Sequence, residues 1–274
     1  LKMKFRLLLL FAVVFMQLTS NAQILKYTNG NNAWNADSLG NHRAVVQFNG
    51  KGKVAHVKID WRRRDEHPEL KGFIITDANG KNVSVLGTTN FNRESADIYF
   101  ETSGTTKYFI YYMPYKNEGR SNYPKGVYLK SNQPSLAKSN QVAVNTIVTE
   151  LQCIDNFNSF YPMEVIATAK ETAAVKSKYK AEPFIVFPED RMYPIKMQSD
   201  LPYRWVQKGA SNLFTGTASK AENYAFQLGV FAMTELKDVR VTFGDLKSST
   251  GKIIAAKFIN CLNTNGIGYD NKPL

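Results

Sequence analysis

The densest group of residues able to bind or react is Trp61-Arg62-Arg63-Arg64-Asp65-Glu66-His67-Pro68-Glu69-Leu70-Lys71. It follows the alternating stretch Val57-Lys58-Ile59-Asp60-Trp61 and reads as a loop leaving a strand. Two chemistries suit it. An indole beside guanidiniums and carboxylates can hold a sugar, with the ring on the apolar face of the pyranose and the charged groups on its hydroxyls. On that reading Trp61, Arg62, Arg63 and Asp65 are ligand contacts. The same residues can instead form an internal network, with an Arg paired to Asp65 or Glu69 and Trp61 closing a core. Val57 and Ile59 share the parity of Trp61, so the indole starts towards the buried face. That parity favours the structural role.

Other groups carry weaker chemistry. Tyr108, Ile110 and Tyr112 alternate with Phe109, Tyr111 and Met113; aromatic residues suit strands, so sheet packing explains them more simply than a glycan platform. Glu189 and Asp190 are adjacent in Pro188-Glu189-Asp190-Arg191. Successive residues point apart, whereas a glycosidase pair must face each other across about 5–9 Å, so this segment reads as a turn with a salt bridge. His42, His56 and His67 have no metal-ligand spacing, and neither Cys153 nor Cys261 has a His or Cys partner at such spacing. The two cysteines read as small core residues, with pairing left open. There is no Gly-x-Ser-x-Gly elbow, and the Gly-x-Gly pairs at Gly50 and Gly266 open no helix. The sequence thus predicts no catalytic residue, no metal and no cofactor.

The elements that must position these groups are mostly strands. Runs rich in β-branched and aromatic residues recur at Ala44–Phe48, Val54–Trp61, Phe73–Thr76, Val83–Leu86, Asp97–Glu101, Lys107–Met113 and Val127–Lys130. Asn49-Gly50, Asn79-Gly80 and Ser103-Gly104 punctuate them as turns. About seven short strands at this spacing predict a β-sandwich over 23–135. Residues 136–210 read as a linker region with one helix over Met163–Lys180, a short strand at Phe184–Phe187 closed by Pro188, and an irregular stretch from Asp190 to Trp205. Strands resume at Asn223–Met233, Asp238–Phe243 and Lys252–Leu262. They predict a second, truncated immunoglobulin-like sandwich over 211–274. The expected fold class is mostly β: two immunoglobulin-like or jelly-roll-like sandwiches with a short helical insertion.

The N-terminus carries an export signal. Lys4 and Arg6 precede an unbroken apolar run, Leu7–Met16, and Ser20-Asn21-Ala22 supplies small residues at a cleavage site. The run is too short for a spanning helix, which needs about 20 residues, and no second long apolar stretch follows. We expect residues 1–22 to be removed, Gln23 to become the new N-terminus, and the product to reach the periplasm, cell surface or medium without a membrane span. The chain holds 35 Lys+Arg against 23 Asp+Glu, a net charge of +12. Losing Lys2, Lys4 and Arg6 with the leader would leave +9. The excess is scattered rather than gathered on one helix or face, which argues against nucleic acid as a partner.

Certain stretches resemble a known family. Ala221–Val230, Leu236–Leu246 and Gly251-Lys252-Ile253-Ile254 resemble the immunoglobulin-like domain preceding the catalytic barrel in proteins similar to glycoside hydrolase family 123. The front half resembles the N-terminal sandwich of large secreted Bacteroidetes proteins of that group. That likeness rests on Gly40-Asn41-His42-Arg43, Trp61–Asp65, Pro68–Lys71 and Tyr111–Tyr115, and extends to the link Phe187–Arg191. The resemblance implies a parent enzyme that is a retaining N-acetylgalactosaminidase using the substrate's own acetamido group, with an Asp-Glu pair on a (β/α)8 barrel. No stretch here matches a barrel, which takes about 200 residues or more, so that pair is not carried over. The resemblance predicts a non-catalytic accessory fragment, with the barrel of the same parent chain as its partner and an oligosaccharide as its ligand where it touches glycan. The alternative is a stand-alone periplasmic or surface glycan-binding or adhesion protein.

Overall fold

The computed structural model describes residues 25–132, 134, 142–237 and 239–262; the expected leader at 1–22 lies outside the described residues. In chain order the front part forms β1 (Lys26–Asn29), α1 (Ala36–Leu39), β2 (His42–Gln47), β3 (Val54–Ile59), β4 (Phe73–Asp77), β5 (Val85–Thr89), β6 (Ala96–Glu101), β7 (Lys107–Tyr112), β8 (Tyr115–Arg120) and β9 (Tyr123–Tyr128), and then β10 (Val144–Asn145) and β11 (Ile147–Cys153). One sheet has the order β1-β11-β2-β7-β4 and the other β10-β3-β6-β5. The two enclose one core.

Period-two patterning builds that core. Ala44 and Val46 of β2, Ala55, Val57 and Ile59 of β3, Ala96, Ile98 and Phe100 of β6, and Tyr108 and Ile110 of β7 all point inward and are fully buried. The intervening residues face out: His56, for instance, sits between Asn145 and Asp97 at 2.8 Å from each. Each large apolar side chain so placed contributes roughly 1.5–3 kcal/mol. The mostly β sandwich expected from the sequence is therefore present.

Two features differ from the sequence reading. Strands β10 and β11 come from the segment read as linker, yet β11 lies inside the first sheet, antiparallel to β2 and parallel to β1. The polar run before residue 142 hid them, although Ile147-Val148-Thr149 is rich in β-branched residues. Strands β8 and β9 pair only with each other, as an exposed ribbon; of the two, only the end of β9 was expected.

The second part holds α2 (Ala169–Lys178), β12 (Phe184–Asp190), α3 (Tyr203–Lys208), β13 (Phe226–Ala232), β14 (Leu246–Lys247) and β15 (Ile253–Ile254). The helix is shorter than Met163–Lys180 because a capping box fixes its start. The Thr168 side chain accepts from Glu171 N, and the Glu171 side chain accepts from Thr168 N. The preceding residues, Met163 to Ala167, are buried; Met163 and Glu164 close a turn, and Val165 and Ile166 form isolated bridges. Strand β12 runs through Pro188 to Asp190 instead of stopping, paired antiparallel with β13. Val186 O accepts from Ser211 N, and Pro188 O from Lys208 Nζ. Both residues thus face away from β13, so the N–H that proline lacks is missing from no ladder. Among the described residues, the expected second sandwich is represented by the antiparallel pairs β12-β13 and β14-β15, and residues 239–243 carry no strand. Cys153 is buried and Cys261 exposed, both as free thiols.

A second small core forms where Trp205 stacks on Phe187 (4.5 Å, 3° between planes) over Gly229 of β13. A Cβ on Gly229 would collide with the Trp205 indole. Gly229→Ala should therefore destabilise this part by about 1–3 kcal/mol through overpacking, read as a lower melting temperature. An unchanged melting curve would show that Trp205 has room to turn aside.

Candidate functional site

The loop after β3 is consumed by internal contacts. Arg62 adopts a left-handed backbone (φ 49°) that turns the chain out of the strand. Its guanidinium binds Glu171 at 2.6 and 3.0 Å in a two-pronged pair and lies 4.0 Å from the Tyr203 ring centre. Arg63, 3% exposed, binds Asp65 at 2.5 Å and stands 4.8 Å from the Trp61 ring. Asp65 also accepts from Lys71 Nζ at 2.6 Å. Arg64 binds Glu164 at 2.6 Å, and Glu164 holds Lys196 at 2.7 Å. Trp61 is 3% exposed, donates from Nε1 to Asn92 O at 2.8 Å, and packs edge-on against Phe91. Trp61, Arg62, Arg63 and Asp65 are thus brought together, as parts of one clamp. Glu69, the other carboxylate expected to take an Arg, pairs with His67 instead.

The electrostatics follow the geometry. Burial alone would raise the Asp65 carboxyl, but Lys71 and Arg63 overcome it and hold the pKa below the usual range. Burial likewise works against Glu171, and Arg62 with the Thr168 backbone N–H reverses it. Burial lowers the pKa of Arg63, with Asp65 opposing. Arg63 Nε has no hydrogen-bond partner among the described residues.

The remaining sequence candidates are also built into the fold. Tyr108 and Tyr112 face the core. Glu189, 1% exposed, accepts from Trp205 Nε1 at 3.0 Å and Arg204 Nε at 3.1 Å. Asp190 accepts from the Tyr224 hydroxyl at 2.8 Å. The salt bridge expected at this segment is therefore real, but it sits in a strand and not in a turn. The described residues contain no group of His, Cys, Asp and Glu able to hold a metal.

Beside Trp61 lies a cleft of about 230 Å³ that the sequence reading missed. One wall is the sheet formed by β1, β11, β2 and β7; the other is the loop from 154 to 165. Tyr27 stacks on Tyr161 at 4.5 Å, and His42 stacks on Phe160 at 4.0 Å. His42 Nε2 lies 2.7 Å from Asn158 O, a carbonyl that can only accept, so Nε2 carries the proton. Burial is the main reason that the His42 pKa falls to about 4; Arg63 and Arg64 add to the fall, while the Asn158 carbonyl and Asp155 oppose it. The same burial raises the Tyr27 phenol to about 12. The sequence signal for this cleft was faint: Phe157, Phe160 and Tyr161 fall in a stretch that reads as linker, and Tyr27 and His42 are distant from it.

Residues 32–158 match the family model of the glycoside hydrolase 123, N-terminal domain. The chain is similar to that domain from beside Trp34 to the end of β11 and just past it. This extent groups β10 and β11 with the front sandwich. His42, Trp61, Tyr112 and Asn156 of the cleft fall inside the glycoside hydrolase 123 N-terminal match, and Tyr27, Phe160 and Tyr161 outside it. No curated protein and no solved structure matches the chain.

Two measurements probe this region. Trp61→Ala should cost roughly 3–5 kcal/mol, because it empties a buried indole site, and should lower the melting temperature markedly. An unchanged melting temperature would place the indole outside the core. The second concerns pH. With the folded His42 pKa near 4 and an unfolded value near 6.5, both states are neutral above about pH 6.5. Below it the unfolded chain takes up the proton first, so stability falls as pH falls. Between pH 7 and 5 this should amount to about 2 kcal/mol. Denaturant titrations of His42→Gln should lack that slope; a slope identical to the parent's would remove His42 as its source.

Proposed function

We propose that this chain is an exported, non-catalytic accessory module of a glycoside hydrolase that acts on complex carbohydrate, and that it contacts glycan. The observation that carries the reading is the glycoside hydrolase 123 N-terminal match over the front sandwich. On this reading the leader at 1–22 directs the chain out of the cytoplasm and is removed. The catalytic barrel of the parent protein is then the principal partner. The Trp61–Lys71 loop supports the module internally: its guanidiniums tie the sandwich to α2 and to the buried segment before it. No helix among the described residues is long and apolar enough to cross a membrane.

A second reading, a stand-alone glycan-binding protein of the periplasm or surface, draws on the aromatic cleft rather than on the family match. The coding sequence downstream of Leu274 separates the two. An in-frame barrel supports the accessory module; a stop codon favours the stand-alone binder. The chain itself should show no turnover of aryl N-acetylhexosaminides or hexosides. Turnover that survives repurification would refute the non-catalytic assignment.

A further inference from the structure

The cleft beside Trp61 has three properties that the loop network leaves unexplained. The first is its charge. The chain carries +12 overall, yet none of the residues lining this cleft is charged at neutral pH, His42 included. The second is its unmet polarity. Tyr112 is 4% exposed, and its hydroxyl has no hydrogen-bond partner among the described residues. With the proton of His42 on Nε2 and directed to Asn158 O, its Nδ1 is an acceptor to which none of the described residues donates. Both residues line the cleft, so these atoms are available to a molecule that enters it. The third is its aromatic shape. Tyr27 fixes one face of Tyr161, while Tyr161 remains 46% exposed, so a ring face stands open. On the same loop Phe157 is held 94% exposed.

Together these describe a ligand. It has an apolar face to lie on a phenol ring and hydroxyls to pair with the Tyr112 hydroxyl and with Nδ1 of His42. It has no net charge, because a carboxylate would meet no cation in the lining and an ammonium no anion. The volume, about 230 Å³, is below the roughly 300–1,000 Å³ of sites for drug-sized molecules, which suits one ring rather than a chain. We propose that this cleft binds one neutral pyranose unit of a glycan, stacked on Tyr161 and hydrogen-bonded by Tyr112 and His42. Further units of the same glycan would run past Phe157. The proposal rests on the glycan-contacting part of the reading above.

The purified full chain is titrated with methyl glycosides of glucose and galactose and of their N-acetylamino counterparts, with glucuronic acid as the charged probe. Tryptophan fluorescence, to which Trp61 in the cleft wall responds, and saturation-transfer NMR follow binding. At least one neutral glycoside should bind, and glucuronic acid should not. Tyr161→Ala and Tyr112→Phe should each weaken binding about tenfold. Tyr112→Phe removes only an oxygen that no protein group uses, so it should fold as the parent does and remains decisive even if Tyr161→Ala is unstable. Absence of binding by all the neutral glycosides, preference for glucuronic acid, or unchanged affinity in either folded variant overturns the proposal. None of these outcomes bears on the accessory-module reading, which the downstream coding sequence decides.

Discussion

Three consecutive guanidiniums leave β3, and each must find its own anion in a confined space. Consecutive side chains diverge, so no single carboxylate can serve them. Asp65 meets Arg63 within the loop, Glu171 meets Arg62 from the first turn of α2, and Glu164 meets Arg64 from the segment before that helix. The Arg63–Asp65 pair is nearly buried, so breaking it costs about 3–5 kcal/mol because the surviving charge is left unpaired; the other two pairs are part-exposed and worth less. These pairs tie the segment from 164 to 171 to arginines more than 90 residues earlier in sequence. Backbone contacts reinforce it: Arg63 bridges Val165, and Ile166 N donates to Arg62 O at 3.1 Å.

This clamp explains why an otherwise irregular stretch can form a wall. The loop from 154 to 165 contains little regular structure, yet it is pinned at its far end by Glu164 and Val165. At its near end, Ile154 N donates to Asn41 O at 2.8 Å. Between those points Asn158 binds His42 and Asn41. Phe160 and Tyr161 are thereby presented at fixed places against the sheet. The charged residues thus stand behind the cleft, not in it, and the family match covers β2, β7 and β11 of its sheet side but neither β1 nor the loop's aromatic end.

Much of the fold was legible because a two-sided sheet writes its burial into every second residue. Strands β2 to β7 and the inward parity of Trp61 followed from that rule; β1 and β8 did not. What was not legible depended on partners far away in sequence. Strand β11 follows a polar run, and its place between β1 and β2 joins residues 100 or more apart, which no local pattern announces. The end of β12 was masked by Pro188, whose missing donor matters only if the strand has a neighbour on that side. The start of α2 was in fact written locally, as Thr168 and Glu171 at capping-box spacing, and was obscured by the helix-forming residues before it. The cleft was hidden because its rings come from residues 27, 42, 112, 160 and 161, which no local pattern links.

The place of β11 has a consequence for the order in which this protein can assemble. It lies between β1 and β2 although it comes at the end of the front sandwich, and its register partners are 100 to 124 residues earlier. Contacts of such separation are slow to form, since a long loop must close before they reward the chain. Until residue 153 has been made, β1 has no neighbour and one edge of β2 stays unpaired. A nascent chain in that state can pair β2-β7-β4 and β3-β6-β5 but lacks the strand that joins β1 to the sheet. For a polypeptide exported as we propose, the finished first sheet can form only once this last strand has followed the others across the membrane.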